Sequence, residues 1–109
     1  MGSKVLHFEK CFHGRSGYTL SLTDSPDPRK VKYFPKFDWP RVSTPNINYP
    51  LDEKNLEDVI KRENISLGQI KDSIKKNPHD IACIIIEPIQ GEGGDNHFRP
   101  EFLIALKDI

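Results

Sequence analysis

The sequence lacks several features that would assign it to a specialised class. Its 109 residues include two cysteines, Cys11 and Cys83, which are too few for a disulfide scaffold or a multi-cysteine zinc module. Sixteen Lys and Arg balance sixteen Asp and Glu, so no excess of positive charge is available to bind nucleic acid or an anionic membrane. No apolar run approaches the ~20 residues that span a bilayer, and no signal peptide opens the chain. These absences favour a protein of the reducing cytoplasm with neither a nucleic-acid nor a membrane partner.

The composition suffices for one domain at most, over residues 1–109. A chain of 12.5 kDa buries roughly two-thirds of its surface when it folds, which leaves ~6,200 Å² accessible. Apolar residues make up 36% of the sequence and the mean hydropathy is −0.58. The chain therefore contains a smaller fraction of hydrophobic residues than an average domain.

Six of the nine prolines fall between residues 24 and 50. Because each residue before a proline is pushed towards extended geometry, this stretch predicts a long extended excursion. It is too long for an ordinary connection inside a small domain. We expect its aromatic residues to anchor it against something large; these are Tyr33, Phe34, Phe37, Trp39 and Tyr49.

Hydrophobic periodicity predicts the regular elements on either side of the excursion. Val5–Phe8 is a strand candidate, and a short helix is expected over Arg15–Thr23. Helical spacing and a following proline predict a long helix over Asp52–Asn77. The apolar run Ile81–Ile86 lacks alternation, which is typical of a strand covered on both faces. A glycine-rich loop is expected at residues 90–96, and Pro100 opens a final helix.

The alternation of strands and helices predicts an α/β fold with a mainly parallel sheet flanked by helices. Two visible strands make at best a marginal sheet in water. We therefore expect this chain to be a piece of a larger α/β domain.

Two polar stretches each follow the carboxyl end of a predicted strand, at residues 11–17 and 87–95. Ligands of open α/β sheets bind in the crevice outside these strand ends. The glycine-rich segment Gly91–Gly94 lacks the Lys-Ser/Thr of a P-loop, so a flexible turn is the simpler interpretation. Cys11 beside His13 is weak support for a nucleophilic thiolate. Asp95 and His97 are too few for a metal site.

Arg15 and Glu87 leave two interpretations open. A cation at the start of a helix is electrostatically unfavourable, so Arg15 either receives an anion together with the helix terminus or pairs with a carboxylate on the surface. Glu87 ends an apolar strand, so its carboxylate is either hydrogen-bonded structurally or part of a site. His7 and His79 are interpreted as surface or structural residues.

Three stretches resemble the class III pyridoxal-phosphate aminotransferases. They are Phe-His-Gly-Arg-Ser-Gly-Tyr-Thr-Leu-Ser-Leu-Thr at 12–23, Tyr-Phe-Pro-Lys-Phe-Asp-Trp-Pro-Arg at 33–41 and Glu-Pro-Ile-Gln-Gly-Glu-Gly-Gly-Asp at 87–95. The first two most resemble the L-lysine 6-aminotransferase subfamily, which moves the terminal amino group of lysine to 2-oxoglutarate. Phe-Asp-Trp-Pro and Glu-Pro-Ile-Gln also resemble 4-aminobutyrate aminotransferases.

The resemblance implies an internal segment of the fold type I large domain, which has a mainly parallel seven-stranded sheet and works as a homodimer. Matched position by position, Phe12 would stack on the pyridine ring of pyridoxal 5'-phosphate with His13 beside it. Glu87 would join the hydrogen-bond network near that ring. Arg15 would bind the α-carboxylate of L-lysine. Glu92 would be a gate that pairs with a later arginine and releases it to bind 2-oxoglutarate.

The resemblance also places essential parts of the enzyme outside this sequence. These are the Schiff-base lysine, the aspartate on the pyridine nitrogen, the glycine-rich phosphate cradle and the gated arginine. We therefore expect no catalytic residue and no metal site within the 109 residues, no activity from them alone, and a marginal or aggregation-prone body. Two alternatives remain: a fragment of a 4-aminobutyrate or other ω-aminotransferase, and a non-catalytic α/β binding module.

Overall fold

The first strand forms the centre of a small parallel sheet. The computed structural model describes residues 2–109, the side chain of Lys30 excepted. Strand β1 (Lys4–Phe8) pairs in parallel with β2 (Arg41–Val42) on one edge and with β3 (Ile81–Ile84) on the other, so the order is β2-β1-β3. With its helices, this sheet confirms the predicted α/β class.

The strand that is buried on both faces is β1, not β3. The last three residues of β1 are at most 1% exposed. The prediction that Ile81–Ile86 is covered on both faces is wrong for this chain, because Ala82 and Cys83 are exposed and the isoleucines are only half-buried. Within residues 2–109, β3 is an edge strand, and Ile85 and Ile86 lie beyond its end.

The long helix α2 (Glu53–Lys76) confirms the prediction over Asp52–Asn77. Asp52 is its N-cap, and the carboxylate accepts a hydrogen bond from the Asn55 N–H at 2.9 Å. The final helix α3 (Pro100–Lys107) begins with proline as predicted. Within residues 2–109, no helix has both the length and the apolar character required to cross a bilayer.

Helix α1 (Gly17–Leu20) is a single turn, shorter than the predicted Arg15–Thr23. The Ser21 hydroxyl donates to the Gly17 carbonyl at 2.9 Å, and the Thr23 hydroxyl bonds backbone carbonyls nearby. Such side chains compete with the helical hydrogen bonds. Arg15 therefore precedes a helix too short to carry a substantial dipole, and the expectation that a helix terminus helps it bind an anion is not supported.

The buried stripe of α2 contains two polar residues that the apolar pattern missed: it comprises Val59, Glu63, Ser66 and Ile70. The Glu63 carboxylate, 5% exposed, binds the Arg99 guanidinium through two N–H···O contacts of 2.8 Å. This pair ties α2 to the start of α3. Ile70 packs in the core with residues of the sheet and of the chain around α3, namely Leu6, Phe8, Val42, Phe98 and Phe102.

The proline-rich excursion at 24–50 holds a 3₁₀ turn (Pro28–Lys30) and strand β2 but is otherwise irregular. Phe37 and Trp39 stack with Tyr18, with ring centroids 5.0 to 6.2 Å apart. The other three aromatics lie outside this stack and are more than half exposed, although the Tyr49 ring packs edge-on against His97: they are Tyr33, Phe34 and Tyr49.

The glycine-rich segment predicted as a loop is the turn of an antiparallel hairpin. Strand β4 (Ile89–Gln90) pairs with β5 (Asn96–His97), so residues 90 and 96 are strand partners and not loop ends. Two-residue strands carry no alternation from which to predict them. The hairpin projects the turn, residues 91–95, next to the chain that leaves β1.

Candidate functional site

The two polar stretches meet at the carboxyl ends of β1 and β3, as the parallel sheet requires. Glu87 joins them. One carboxylate oxygen accepts the Phe12 N–H at 2.5 Å, and the other accepts the Gly91 N–H at 3.1 Å. The Glu87 carboxylate is thus hydrogen-bonded to both polar stretches, and these bonds fit a structural role as well as a place in the site.

The site loop, residues 9–24, is closed by hydrogen bonds between its two ends. The Asp24 N–H donates to the Cys11 carbonyl at 2.8 Å, and the Asp24 carboxylate accepts the Lys10 N–H at 2.8 Å. The Thr23 hydroxyl accepts the His13 N–H at 3.1 Å and lies 2.8 Å from the Gly14 carbonyl. Sequence reasoning gave Thr23 and Asp24 no role in the site, because their bonds to His13, Cys11 and Lys10 join residues 10 to 14 positions apart.

Gly14 sets the direction of the loop before α1. Its φ of +126° lies in a region that favours glycine. A Cβ there would lie 2.5 Å from the Thr19 hydroxyl oxygen. That hydroxyl also accepts the Ser16 N–H at 3.1 Å, so the backbone that presents Arg15 is fixed from both sides.

His13 carries an orphaned nitrogen. Its Nε2 is fully buried, and the described part of the chain offers it no hydrogen-bond partner. Burial lowers the pKa of His13 below its ordinary value, while the nearby Glu87 carboxylate opposes this less strongly. The imidazole is therefore neutral at neutral pH, and a buried polar atom without a partner is costly unless a ligand satisfies it.

Arg15 extends over Phe12. Its guanidinium carbon lies 5.9 Å from the centroid of the Phe12 ring, within cation–π range. The arginine is exposed, whereas Phe12 is half-buried. The loop thus presents a planar cation and an aromatic ring side by side.

Glu92 lies on the exposed turn of the hairpin, and its neighbour Gly93 packs against the site loop. A Cβ on Gly93 would come within 1.8 Å of the Lys10 carbonyl oxygen, so only glycine permits this approach. Gln90, fully buried, holds the base of the hairpin by donating to the Glu9 carbonyl at 2.9 Å. The sequence places Gln90 in the predicted loop, because its burial depends on a contact with Glu9, 81 positions away.

Two weaker hypotheses lose ground. Cys11 is buried and its thiol contacts the Leu22 carbonyl at 2.7 Å; burial raises its pKa to about 11, so it is not a thiolate at neutral pH. Across residues 2–109, no cluster of three or more His, Cys, Asp or Glu is arranged to hold a metal ion. The His97 ring instead packs edge-on against the Tyr49 ring, with 6.3 Å between the ring centroids.

Comparison with known proteins decides the family. The family model of class-III aminotransferases matches residues 2–109. This chain belongs to the class-III aminotransferase family.

Individual class-III relatives extend the match over the whole chain. The L-lysine-epsilon aminotransferase of Mycobacterium tuberculosis is 50% identical over 109 residues, which are 100% of this chain and 23% of the relative. The 4-aminobutyrate aminotransferase of Kluyveromyces lactis is 45% identical over 105 residues, covering 96% of this chain and 22% of the relative. The chain therefore spans about a quarter of the length of the curated relatives it matches.

A solved class-III structure has the same fold. The lysine aminotransferase from M. tuberculosis in the internal aldimine form aligns with a TM-score of 0.90 and 50% identity, covering 99% of this chain and 24% of that one. The small parallel sheet, the hairpin and the site loop thus belong to the fold of pyridoxal-phosphate-dependent aminotransferases.

Proposed function

We propose that residues 1–109 are an internal segment of the large domain of an L-lysine 6-aminotransferase. Such an enzyme transfers the terminal amino group of L-lysine to 2-oxoglutarate and yields 2-aminoadipate 6-semialdehyde and glutamate. The observation that carries the proposal is 50% identity with an L-lysine-epsilon aminotransferase over all 109 residues, against 45%, 43% and 40% for three 4-aminobutyrate aminotransferases.

The residues of the site loop fit pyridoxal 5'-phosphate. Phe12 offers an aromatic face for the pyridine ring, and the half-buried, neutral His13 has a fully buried Nε2 that needs a partner. When bound, the cofactor supplies the electron sink that amino-group transfer requires. Glu87 acts on this site through the backbone, because both of its oxygens hold loop N–H groups.

Arg15 and Glu92 would handle the substrates. A guanidinium binds a carboxylate through two parallel N–H bonds, which suits Arg15 to the α-carboxylate of lysine. Holding lysine by that group would direct its far amine towards the cofactor. Glu92, on the exposed hairpin turn, would gate the arginine that binds 2-oxoglutarate.

The proposal includes a homodimer in the reducing cytoplasm. The exposed aromatics of the excursion and the open edge of β3 within residues 2–109 support burial against further protein. The two cysteines, Cys11 and Cys83, are both free thiols, as a reducing compartment favours.

The test is to express the complete polypeptide that contains this segment, load it with pyridoxal phosphate and measure glutamate formation from 2-oxoglutarate. Lysine and 4-aminobutyrate are compared as amino donors at equal concentration. We expect lysine to give the higher kcat/KM by at least about tenfold. Preference for 4-aminobutyrate would assign the segment to that alternative, and no activity with any ω-amine, together with no cofactor binding, would favour a non-catalytic module.

A further inference from the structure

Arg41 connects three separate parts of the chain around the site. It lies on β2, directly opposite His7 of β1 in the sheet register. Its Nε donates to His7 Nε2 at 3.1 Å, one terminal nitrogen donates to Asp24 Oδ1 at 3.1 Å, and the other reaches the Thr23 carbonyl at 3.4 Å. One planar side chain thus joins β1, β2 and the end of the site loop.

The two residues at the loop end are those that set its shape. Asp24 uses its second oxygen to hold the Lys10 N–H, and its own N–H holds the Cys11 carbonyl. Thr23 holds the backbone of His13 through its hydroxyl. A shift of Asp24 and Thr23 would therefore move the chain on both sides of Phe12 and Arg15.

His7 is suited to receive the arginine. The imidazole is 1% exposed, and its Nδ1 faces the Val5 carbonyl at 3.3 Å, an arrangement that puts the ring proton on Nδ1 and a lone pair on Nε2. Burial lowers the pKa of His7 to about 4, which is consistent with a neutral acceptor at neutral pH. An Arg–His contact of this kind fixes the guanidinium plane without a competing charge.

We propose that Arg41 is a positioning residue that locks the site loop in the geometry that binds the cofactor and the amino donor. The proposal rests on the function proposed above. It acts through Asp24 and Thr23, since Arg41 itself lies on β2 and reaches the loop at its end. Lysine could not replace it, because a single ammonium on a flexible stem cannot donate in three fixed directions.

The experiment uses the complete enzyme and compares Arg41→Ala and Arg41→Lys with Arg62→Ala. Arg62 is a matched control: it also combines a carboxylate, Asp58, with a backbone carbonyl of the proline-rich excursion, that of Asn46, but it lies on α2 and does not contact the site loop through these bonds. The measurements are the Kd for pyridoxal phosphate by fluorescence titration of the apoenzyme, KM and kcat for lysine, and the Tm of the apoenzyme.

We expect both Arg41 variants to raise the Kd for pyridoxal phosphate and the KM for lysine by about ten- to a hundredfold, as misplaced binding groups do. Arg62→Ala should lower Tm comparably and leave both constants within about twofold of the unmodified enzyme. Unchanged constants in Arg41→Ala, full rescue by Arg41→Lys, or equal changes in Arg62→Ala would each overturn the proposal.

Asp24→Asn keeps the proposal testable if Arg41→Ala does not fold. The amide retains the shape of the side chain but leaves only one oxygen to accept from both Arg41 and Lys10, so the same two constants should rise; no rise in either would overturn the proposal. The cofactor titration does not require lysine to be the donor. An unmodified enzyme that ignores lysine would refute the proposed function, whereas the Kd for pyridoxal phosphate would still decide the role of Arg41.

Discussion

Replacing Arg15 tests whether the site binds the carboxylate of the amino donor. In the structure the guanidinium is exposed and 5.9 Å from the Phe12 ring centroid. Arg15→Lys keeps the positive charge but loses one of two parallel charge-assisted hydrogen bonds to a carboxylate. We expect a loss of about 1–3 kcal/mol, roughly 5- to 150-fold in kcat/KM for lysine.

Arg15→Ala removes more than the pair of parallel hydrogen bonds that the guanidinium can donate to a carboxylate. The charge, both hydrogen bonds and the cation–π contact with Phe12 are lost together, so the cost should be about 2–5 kcal/mol and larger than that of Arg15→Lys. The ordering of the two variants matters more than either magnitude. If Lys and Ala cost the same, the positive charge kept in Arg15→Lys contributes nothing, and the whole effect of Arg15 depends on its two-pronged geometry.

The assay is parallel steady-state kinetics of the complete enzyme with lysine and with 1,5-diaminopentane, which presents the same amine without the carboxylate. The diamine should lose less than about threefold in kcat/KM in either variant. Arg29→Ala, an exposed arginine paired with Asp27, is the control and should leave both donors unchanged. Equal losses for both donors in the Arg15 variants would refute the reasoning, because Arg15 would then support the fold or the cofactor.

Further predictions concern the hairpin, the buried ion pair, pH and the segment alone. Gly93→Ala should lower kcat/KM for lysine at least about tenfold, because its Cβ would lie 1.8 Å from a site-loop carbonyl oxygen. Gly91→Ala is the control, because its Cβ meets nothing within 4 Å. Equal effects of the two substitutions would contradict the steric argument. Arg99→Ala should destabilise the protein by about 3–5 kcal/mol in chemical denaturation, since it leaves the Glu63 carboxylate buried and unpaired; a cost below about 1 kcal/mol would show that water reaches the carboxylate. The folded pKa of His7, about 4, lies below the unfolded value of 6.5. The neutral imidazole therefore contributes roughly 3 kcal/mol to the free energy of unfolding above pH 6.5, and this contribution is lost as pH falls towards 4. His7→Gln should flatten that part of the Tm–pH profile, and an unchanged profile would show that His7 does not cause the pH dependence. Residues 1–109 expressed alone should show no transamination and should aggregate. A borohydride-reducible cofactor adduct at one lysine, together with turnover, would disprove the expected inactivity. A monodisperse monomer with a cooperative thermal transition would disprove the expected aggregation.

The elements that sequence predicted well are those with local signals. Helix α2 has a long apolar period and a capping Asp52, and α3 begins at Pro100, so their positions follow from local chemistry. The meeting of the site loop with Glu87 was also predictable, since both follow neighbouring parallel strands. The resemblance then identified the family that the comparisons confirmed.

The features that sequence did not predict depend on long-range polar contacts. Strand β2 has two residues and exists because Arg41 and Val42 pair with the end of β1. Glu63 reads as a surface residue until Arg99, 36 positions away, is placed opposite it. The roles of Asp24 and Thr23 likewise appear only when Arg41 is brought to the loop, and no periodicity encodes such a contact.

The placement of the site follows from how β1 is covered on its two faces. Leu6 and Phe8 pack on one face against residues of α2 and the chain around α3. His7 points to the opposite face by the alternation of a strand, and there it meets Arg41. Arg41 in turn binds Asp24 and the Thr23 carbonyl, so the end of the site loop is tied to this face of the strand. The body is thin, 43 × 33 × 16 Å, and exposes 7091 Å² where a monomer of this mass would expose ~6,200 Å². Asp24 and Thr23 also hold the loop backbone at Lys10 and His13, so the loop that presents Phe12 and Arg15 depends on the same contacts that join β1 to β2.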